Sequence, residues 1–233
     1  MMHSQNSKAI VYIDALNLYY WLLKGTPYKW LDVFTFVQKE LDKKSILISE
    51  IKFFYARVSW NEKDPEAPIR QQNYIKALEK HISKFCKFTH IEWYFKSNVK
   101  KRWLLAWQQD NKIVTILTNE EKWTDVNLWV HMVYDSLTNE DFNVVCLVSN
   151  DTDLWEALRL VKLSGKVIYL IPPIKKFSKT AQKEIEWSGS NIPRMAWKLS
   201  IYAHFHSYPI AESKLANTQL PDPCEWIAKT SSW

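Results

Sequence analysis

The sequence predicts an α/β protein with a Rossmann-like, mostly parallel sheet that helices cover on both faces. Short apolar runs alternate with amphipathic stretches at helical spacing, a pattern typical of parallel sheets with crossover helices. One run, residues 144–148, holds five apolar residues and no charge, which indicates a strand buried on both faces. Of the 233 residues, 47% are hydrophobic, which is enough to build one large core. The chain is too short for two domains of ordinary size and a linker.

Each element is predicted from its own pattern. Valine, isoleucine and aromatic runs predict strands, and apolar stripes three or four residues apart predict helices. The turn-rich tail L-P-D-P-C-E-W predicts an extended segment that packs on the body. We predict strands at 8–13, 51–58, 88–95, 112–117, 144–148 and 166–170, and helices at 15–23, 31–41, 69–85, 126–137, 154–163 and 197–205.

Composition narrows the classes of function. The net charge of +6 mildly favours a polyanionic partner. Only three glycines occur, and neither G-x-x-x-x-G-K-[ST] nor G-x-G-x-x-G is present, so metal and side chains would have to bind any phosphate. The three cysteines are far apart and form no C-x-x-C motif, which indicates that their thiols stay reduced, as in a cytoplasmic protein. No apolar stretch approaches the ~20 residues of a membrane helix, so we expect no membrane partner.

Carboxylates follow two of the predicted strands. Asp14 ends the first strand, and Asp151 and Asp153 come directly after residues 144–148. Because open α/β sheets place ligands at the carboxyl ends of their strands, we expect these side chains to share a cleft. Asn17 lies at the first of these corners and is predicted to hold a phosphate or a water, while Ser149 at the second would contact ligand or cap the next helix.

A further predicted helix would add carboxylate side chains to this cleft. Asp125 lies in its first turn, and Glu121 would share its face if the helix extended back that far. Acids in a first turn also favour the helix dipole, which would explain Asp125 alone. Clustered carboxylates without nearby Cys or His suit Mg²⁺ or Mn²⁺, and such an ion would assist hydrolysis of a phosphodiester.

Basic residues lie beside aromatic residues between the third and fourth predicted strands. Lys100, Lys101 and Arg102 precede Trp103. Cations neutralise phosphates and aromatic faces stack on bases, so this stretch could bind single-stranded nucleic acid. A surface β-hairpin with solvated lysines is the favoured alternative.

The motifs Y-I-D-A-L-N-L-Y-Y, E-E-K-W-T-D-V-N-L-W-V-H-M-V-Y-D-S and V-S-N-D-T-D-L resemble, in this order, the NYN domain family of PIN-like nucleases. The resemblance covers residues 8–173 and implies a Rossmann-like PIN fold and a metal-dependent ribonuclease. It implies a nuclease domain at 1–173, with a C-terminal helical and extended extension at 174–233 that packs on it, as in some bacterial members. The metal-binding acids implied are Asp14, Asp125, Asp151 and Asp153, with Asn17 as the accompanying polar residue and Glu121 as a helper.

The chain departs from the family pattern at two positions. Trp123 stands where a small residue is expected, and would narrow the cleft or stack on a base. Ala15 stands where glycine is common. The leading hypothesis is an endoribonuclease that acts on single-stranded or structured RNA. A DNA nuclease, a non-catalytic RNA-binding protein and a toxin held by a partner stay open, as do a homodimer and a regulatory protein partner.

Overall fold

The protein folds as an α/β structure around one seven-stranded sheet. The sheet order is β4-β3-β2-β1-β5-β6-β7, and six strands are parallel while β4 runs antiparallel to β3. The computed structural model describes residues 7–60, 62, 64–104, 112–121, 124–188 and 191–229. At 94–104, 112–121 and 124–125 it describes the backbone alone. The strands are β1 Ser7–Asp14, β2 Ile46–Arg57, β3 Lys87–Leu104, β4 Lys112–Glu121, β5 Val144–Val148, β6 Val167–Leu170 and β7 Phe205–His206.

Helices pack on both faces of this sheet, as the alternating sequence pattern predicts. A π-helical turn, Tyr19–Leu23, follows the first helix, and short 3₁₀ turns lie at Asp42–Lys44 and Thr152–Leu154. Among the described residues, no helix has the length and apolar character needed to cross a membrane. The helices are α1 Ala15–Leu18, α2 Val33–Leu41, α3 Ala67–Ile82, α4 Thr124–Thr138, α5 Trp155–Leu163, α6 Lys179–Trp187, α7 Trp197–Ser200 and α8 Glu212–Ala216.

The two central strands, β1 and β5, are paired in parallel with Ile13 opposite Val148. β5 has the bounds predicted from the sequence, and all five of its residues are buried. The chain moves outward from β1 through β2 to β3, and from β5 through β6 to β7. The strand order therefore reverses between β1 and β5, which is where open α/β sheets bind ligands.

Two apolar clusters cover the faces of the sheet. One contains Trp30, Phe36 and Leu78 from the α2 and α3 side, and the other contains Leu128 of α4 and Leu158 of α5. Alternate residues of β1 point into opposite clusters, with Ile13 in the first and Tyr12 in the second. The predicted fold class is confirmed.

The helix predicted at 197–205 is wrong in its second half. Only Trp197–Ser200 is helical, and Phe205–His206 forms β7 on the edge of the sheet. His204 N donates to Ile168 O at 2.9 Å, and its Nδ1 accepts from Ile168 N at 3.0 Å. The unpaired edge of β6 offers these hydrogen bonds, and they override the weak helical pattern.

The C-terminal tail packs on the body as an extended segment, as its turn-rich composition predicts. Leu220 N donates to Trp30 O at 2.8 Å, and the Trp30 indole donates to Pro221 O at 3.2 Å. Cys224 is buried with its thiol 3.7 Å from the Ala77 carbonyl. The tail therefore closes the core on the α2 and α3 side.

Candidate active site at the carboxyl edge of the sheet

Asp14 combines two local roles at the end of β1. Its Oδ1 accepts a 2.9 Å hydrogen bond from Asn17 N, so the carboxylate caps α1. Its Oδ2 accepts from the Ser149 hydroxyl at 3.0 Å. With 3% of its surface exposed, this carboxylate is held by neighbouring protein groups rather than by bulk water.

The corner after β5 carries two more of the predicted acids. Asp151 caps the 3₁₀ turn Thr152–Leu154 by accepting from Asp153 N at 3.0 Å. Ser149 Oγ accepts from Asp151 N at 3.1 Å while it donates to Asp14. Ser149 is fully buried and positions Asp14. Asp151 rather than Ser149 caps the next turn, and contact of Ser149 with a substrate stays a prediction. Asp151 is half-buried and Asp153 is exposed.

Asp125 is the second residue of α4, which begins at the same edge of the sheet. α4 ends at Thr138 and leads into β5 at Val144, so the helix runs antiparallel to the strand. It packs on β1 and β2 and also contacts the turn Thr152–Leu154. This topology brings the first turn of α4 to the side of the sheet where Asp14 and Asp151 lie, as predicted.

Glu121 does not belong to that helix, so the shared helical face predicted for it is wrong. Glu121 is the last residue of β4, and α4 begins only at Thr124. The antiparallel pairing of β4 with β3, in which Glu121 lies opposite Phe95, holds this residue in the strand. Trp123 lies outside the described residues.

The oxygen atoms at this edge suit a hard divalent cation. Each oxygen of a carboxylate can accept about two hydrogen bonds or ligands, so a carboxylate can combine hydrogen bonds from the protein with metal ligation. Among the side chains that the structure describes, no three of His, Cys, Asp or Glu form a metal-binding group. The side chains of Asp125 and Glu121 lie outside that set. Metal binding at this edge therefore stays a prediction.

Asn17 is placed as expected for a polar residue beside the acids. It is half-buried, and its Oδ1 accepts a 2.9 Å hydrogen bond from Asn150 N. Among the described residues, none accepts a hydrogen bond from its Nδ2. The amide therefore ties α1 to the β5 corner and keeps two N–H donors for a phosphate oxygen or a water.

Asn150 is a site residue that the sequence reasoning missed. Its Nδ2 donates to Arg194 O at 3.1 Å, and its Oδ1 accepts from Ala196 N at 2.9 Å. The side chain holds the segment before α7 against the acidic edge. The signal available in the sequence was its place between Ser149 and Asp151, at a corner where an amide can satisfy backbone groups on two sides.

The basic and aromatic stretch forms the hairpin that was the favoured alternative for it. β3 and β4 pair antiparallel from Phe95 opposite Glu121 to Leu104 opposite Lys112. Lys100, Lys101, Arg102 and Trp103 lie on β3, and their side chains lie outside the described residues. Contact of this hairpin with nucleic acid stays a prediction.

A cleft of about 660 Å³ opens next to Asp14, on the face of the sheet covered by α3. Its lining includes Ala15 and Leu16, which directly follow Asp14, and Arg70 and Gln71 of α3. Among the described residues of its lining, Lys29 is the one lysine. The aromatic residues that line it are Tyr19, Tyr20, Phe53, Tyr55, Trp60 and Tyr74.

A buried polar group lies beneath α4 on the opposite face. Asp135 Oδ2 accepts from Lys52 Nζ at 2.5 Å and from the Tyr12 hydroxyl at 2.7 Å. Burial and the Asp135 hydrogen bond raise the pKa of Tyr12. His131 lies one turn earlier on α4, against the Phe54 ring, and burial followed by the Lys52 charge lowers its pKa. These contacts fix α4 on β1 and β2.

Comparisons with known proteins show similarity to a named enzyme and to a solved structure. No family model matches the chain. The chain is 28% identical over 244 aligned residues to 6-hydroxy-3-succinoylpyridine 3-monooxygenase HspA of Pseudomonas putida, covering 94% of this chain and 72% of the relative. A crystal structure of a protein of unknown function from Vibrio parahaemolyticus aligns with a TM-score of 0.46 and 14% identity, covering 91% of this chain and 96% of that chain. The relative in Pseudomonas is thus named as an enzyme.

Proposed function

We propose that this protein is an NYN-type, PIN-like endonuclease that hydrolyses phosphodiester bonds in RNA with Mg²⁺ or Mn²⁺. The observation that carries the proposal is the meeting of Asp14 and the Asp151 corner at the ends of adjacent parallel strands, linked through Ser149. The first turn of α4, with Asp125, begins at the same edge. Three free cysteines suit a reducing compartment, so we place the protein in the cytoplasm.

The proposed roles follow from the positions of the side chains. Asp14, Asp125 and Asp151 would hold the metal, with Asp153 at the solvent side of the cleft. A bound divalent ion lowers the pKa of a coordinated water and offsets charge on the phosphoryl oxygens. Asn17 would direct its free amide N–H groups to the phosphate, and Ser149 keeps Asp14 oriented for ligation.

The test is cleavage of a labelled single-stranded RNA, a structured RNA and a DNA of matching sequence, with Mg²⁺, Mn²⁺ or EDTA. We expect metal-dependent cutting of RNA that EDTA stops. Asp151→Asn should lower the rate at least about 100-fold, because a neutral amide is a poor metal ligand. The matched control is Asp141→Asn, an exposed acid between α4 and β5 at the opposite edge, which should cut like the parent.

Two outcomes would contradict this proposal. Cutting by Asp151→Asn at the parent rate would remove the β5 corner from the mechanism. Failure of every metal to support cutting of RNA or DNA would favour a non-catalytic RNA-binding role. Cutting of DNA alone would keep the mechanism and change the substrate.

A second candidate is hydroxylation of an aromatic ring. The Pseudomonas relative is named as a monooxygenase that acts on a hydroxypyridine, and it aligns over 94% of this chain. The aromatic cleft beside Asp14 would suit such a ring. The test is O₂ consumption with 6-hydroxy-3-succinoylpyridine and NADH or NADPH, since a monooxygenase needs a two-electron donor. No substrate-dependent consumption of O₂ would exclude that substrate.

A further inference from the structure

The turn after α1 has an unusual geometry that shapes one wall of the cleft. Residues Tyr19–Leu23 form a π-helical turn, closed by a 2.7 Å hydrogen bond from Lys24 N to Tyr19 O. Such turns are rare and frequently occur at functional sites. Here the turn buries Leu22 and Leu23 in the core and leaves Tyr19 and Tyr20 exposed in the cleft lining.

The segment after β2 also presents an aromatic ring to water in this cleft. Trp60 lies three residues beyond β2, lines the cleft and has 65% of its surface exposed. Gln71 of α3 steadies the strand end before it, since Nε2 donates to Ala56 O at 2.9 Å and Oε1 accepts from Val58 N at 2.8 Å. Exposed aromatic surface gathered at a concave site is typical of a place where a ligand binds.

The buried tyrosines of the lining have hydroxyl groups that already form hydrogen bonds. The Tyr55 hydroxyl donates to Glu92 at 2.7 Å, and the Tyr74 hydroxyl donates to Leu31 O at 2.7 Å. Phe53 lies between them, with ring centroids 6.2 Å from Tyr55 and 6.5 Å from Tyr74. Because both tyrosine hydroxyls already have partners, this part of the cleft favours a flat apolar or aromatic group.

Among the described residues, one cation of the lining has no carboxylate paired with it. Arg70 is paired with Asp64, and its Nη1 lies 3.7 Å from Glu66 Oε2. Lys29 is half-buried, and no carboxylate among the described side chains pairs with it. A lysine held in a cleft without a partner can stabilise an anion there more strongly than a fully solvated lysine would.

We propose that this cleft binds a planar aromatic ring that carries an anionic group, with the ring against Trp60 and Tyr20 and the anion near Lys29. The volume of about 660 Å³ is within the range of small-molecule sites. This binding site does not require the metal-dependent hydrolysis proposed above. A nucleotide and a free aromatic carboxylate share the chemistry that the cleft would recognise, and binding experiments can separate these two sources.

The experiment is isothermal titration of the full chain in EDTA with uridine 5′-monophosphate, uridine and pyridine-3-carboxylate. We expect saturable binding of one or both anionic ligands. Uridine should bind more weakly than its monophosphate, because it lacks the anion. Preference for the monophosphate identifies a nucleotide as the source, and preference for pyridine-3-carboxylate identifies an aromatic acid. Asp151→Asn should bind like the parent, which separates this site from the hydrolytic one.

Two variants with matched controls test the named contacts. Trp60→Ala should weaken binding about tenfold, the typical loss for one stacked ring, whereas Trp187→Ala on α6, 93% exposed, should change nothing. Lys29→Ala should weaken the binding of the anionic ligands and leave the binding of uridine unchanged. Lys183→Ala, which replaces an exposed lysine of α6, should leave the binding of all three ligands unchanged. No saturable binding of any ligand at millimolar concentration, or equal affinity in Trp60→Ala and the parent, would overturn the proposal.

Discussion

The hydroxyl of Ser149 donates a 3.0 Å hydrogen bond to Asp14, and this bond joins two strand ends that lie 135 positions apart in the chain. Both side chains are buried. The same hydroxyl oxygen accepts from Asp151 N, so one group orients the first acid and the backbone that carries the second. The spacing of the two acids therefore depends on a residue that itself faces no solvent.

Ser149→Ala should lower the free energy of unfolding by about 1–3 kcal/mol, because it leaves the buried Asp14 carboxylate short of one hydrogen bond. The measurement is urea unfolding followed by circular dichroism. We also expect a smaller rise in melting temperature on addition of Mn²⁺ than the parent shows, because Asp14 would no longer be held for ligation.

Ser164→Ala is the matched control for this prediction. Its hydroxyl donates to Val161 O at 2.7 Å beyond the end of α5, at the opposite edge of the sheet. It should lower stability less and leave the response to Mn²⁺ unchanged. A Ser149→Ala protein as stable as the parent, with the same response to Mn²⁺, would show that Asp14 does not need this bond.

The Lys52–Asp135 ion pair should matter more to stability than an exposed pair, because both side chains are nearly buried. Lys52→Met should cost about 3–5 kcal/mol, since it leaves the Asp135 carboxylate buried with only the Tyr12 hydroxyl as a described partner. The control is Arg57→Met, which breaks a largely exposed pair with Glu92 and should cost at most about 1 kcal/mol. Equal losses in the two variants would contradict the importance of burial.

Stability should depend on pH through His131. Burial, followed by the Lys52 charge, lowers its pKa below the ordinary 6.5, while Asp135 and Glu50 act in the opposite direction. A lowered pKa means that the unfolded chain takes up the proton first as pH falls. The contribution of His131 is therefore fully present above about pH 6.5 and is lost as pH falls below that value toward the folded-state pKa.

His131→Gln should flatten the pH dependence of unfolding in this range, because glutamine does not titrate. The measurement is the urea midpoint at several pH values between 5 and 8, at constant ionic strength. His206→Gln on the exposed edge strand β7 is the matched control and should keep the parent's slope. An unchanged slope in His131→Gln would assign the pH dependence to other groups.

Local patterns in the sequence were sufficient for strands β1 to β6 and for most helices. The uncharged run 144–148 coincides with β5, because a strand buried on both faces must be apolar throughout. Asp32 caps α2, as its place before the apolar stripe indicates. Gly165 follows the end of α5 with a φ of 83°, a left-handed conformation that glycine adopts without steric strain because it has no Cβ. In each case the cause acts within a few residues.

The features that the sequence did not reveal depend on long-range contacts. No local pattern distinguishes a serine that caps the next turn from one that bonds Asp14 across the sheet. Phe205–His206 became a strand only because β6 offers a free edge. Glu121 stays in β4 because the hairpin partner holds it there. The carboxyl edge could be predicted from strand order, whereas its hydrogen bonds could not.

Asn150→Ala should free the segment before α7 from the acidic edge, since Asn150 bonds both Arg194 O and Ala196 N. Losing about 1–1.5 kcal/mol of hydrogen bonding should speed exchange of the Ala196 amide about tenfold. Hydrogen exchange followed by mass spectrometry measures this rate. The control, Asn143→Ala, removes a bond to Lys8 N at the opposite edge and should leave Ala196 unaffected. Unaltered exchange of Ala196 in Asn150→Ala would mean that other contacts hold this segment.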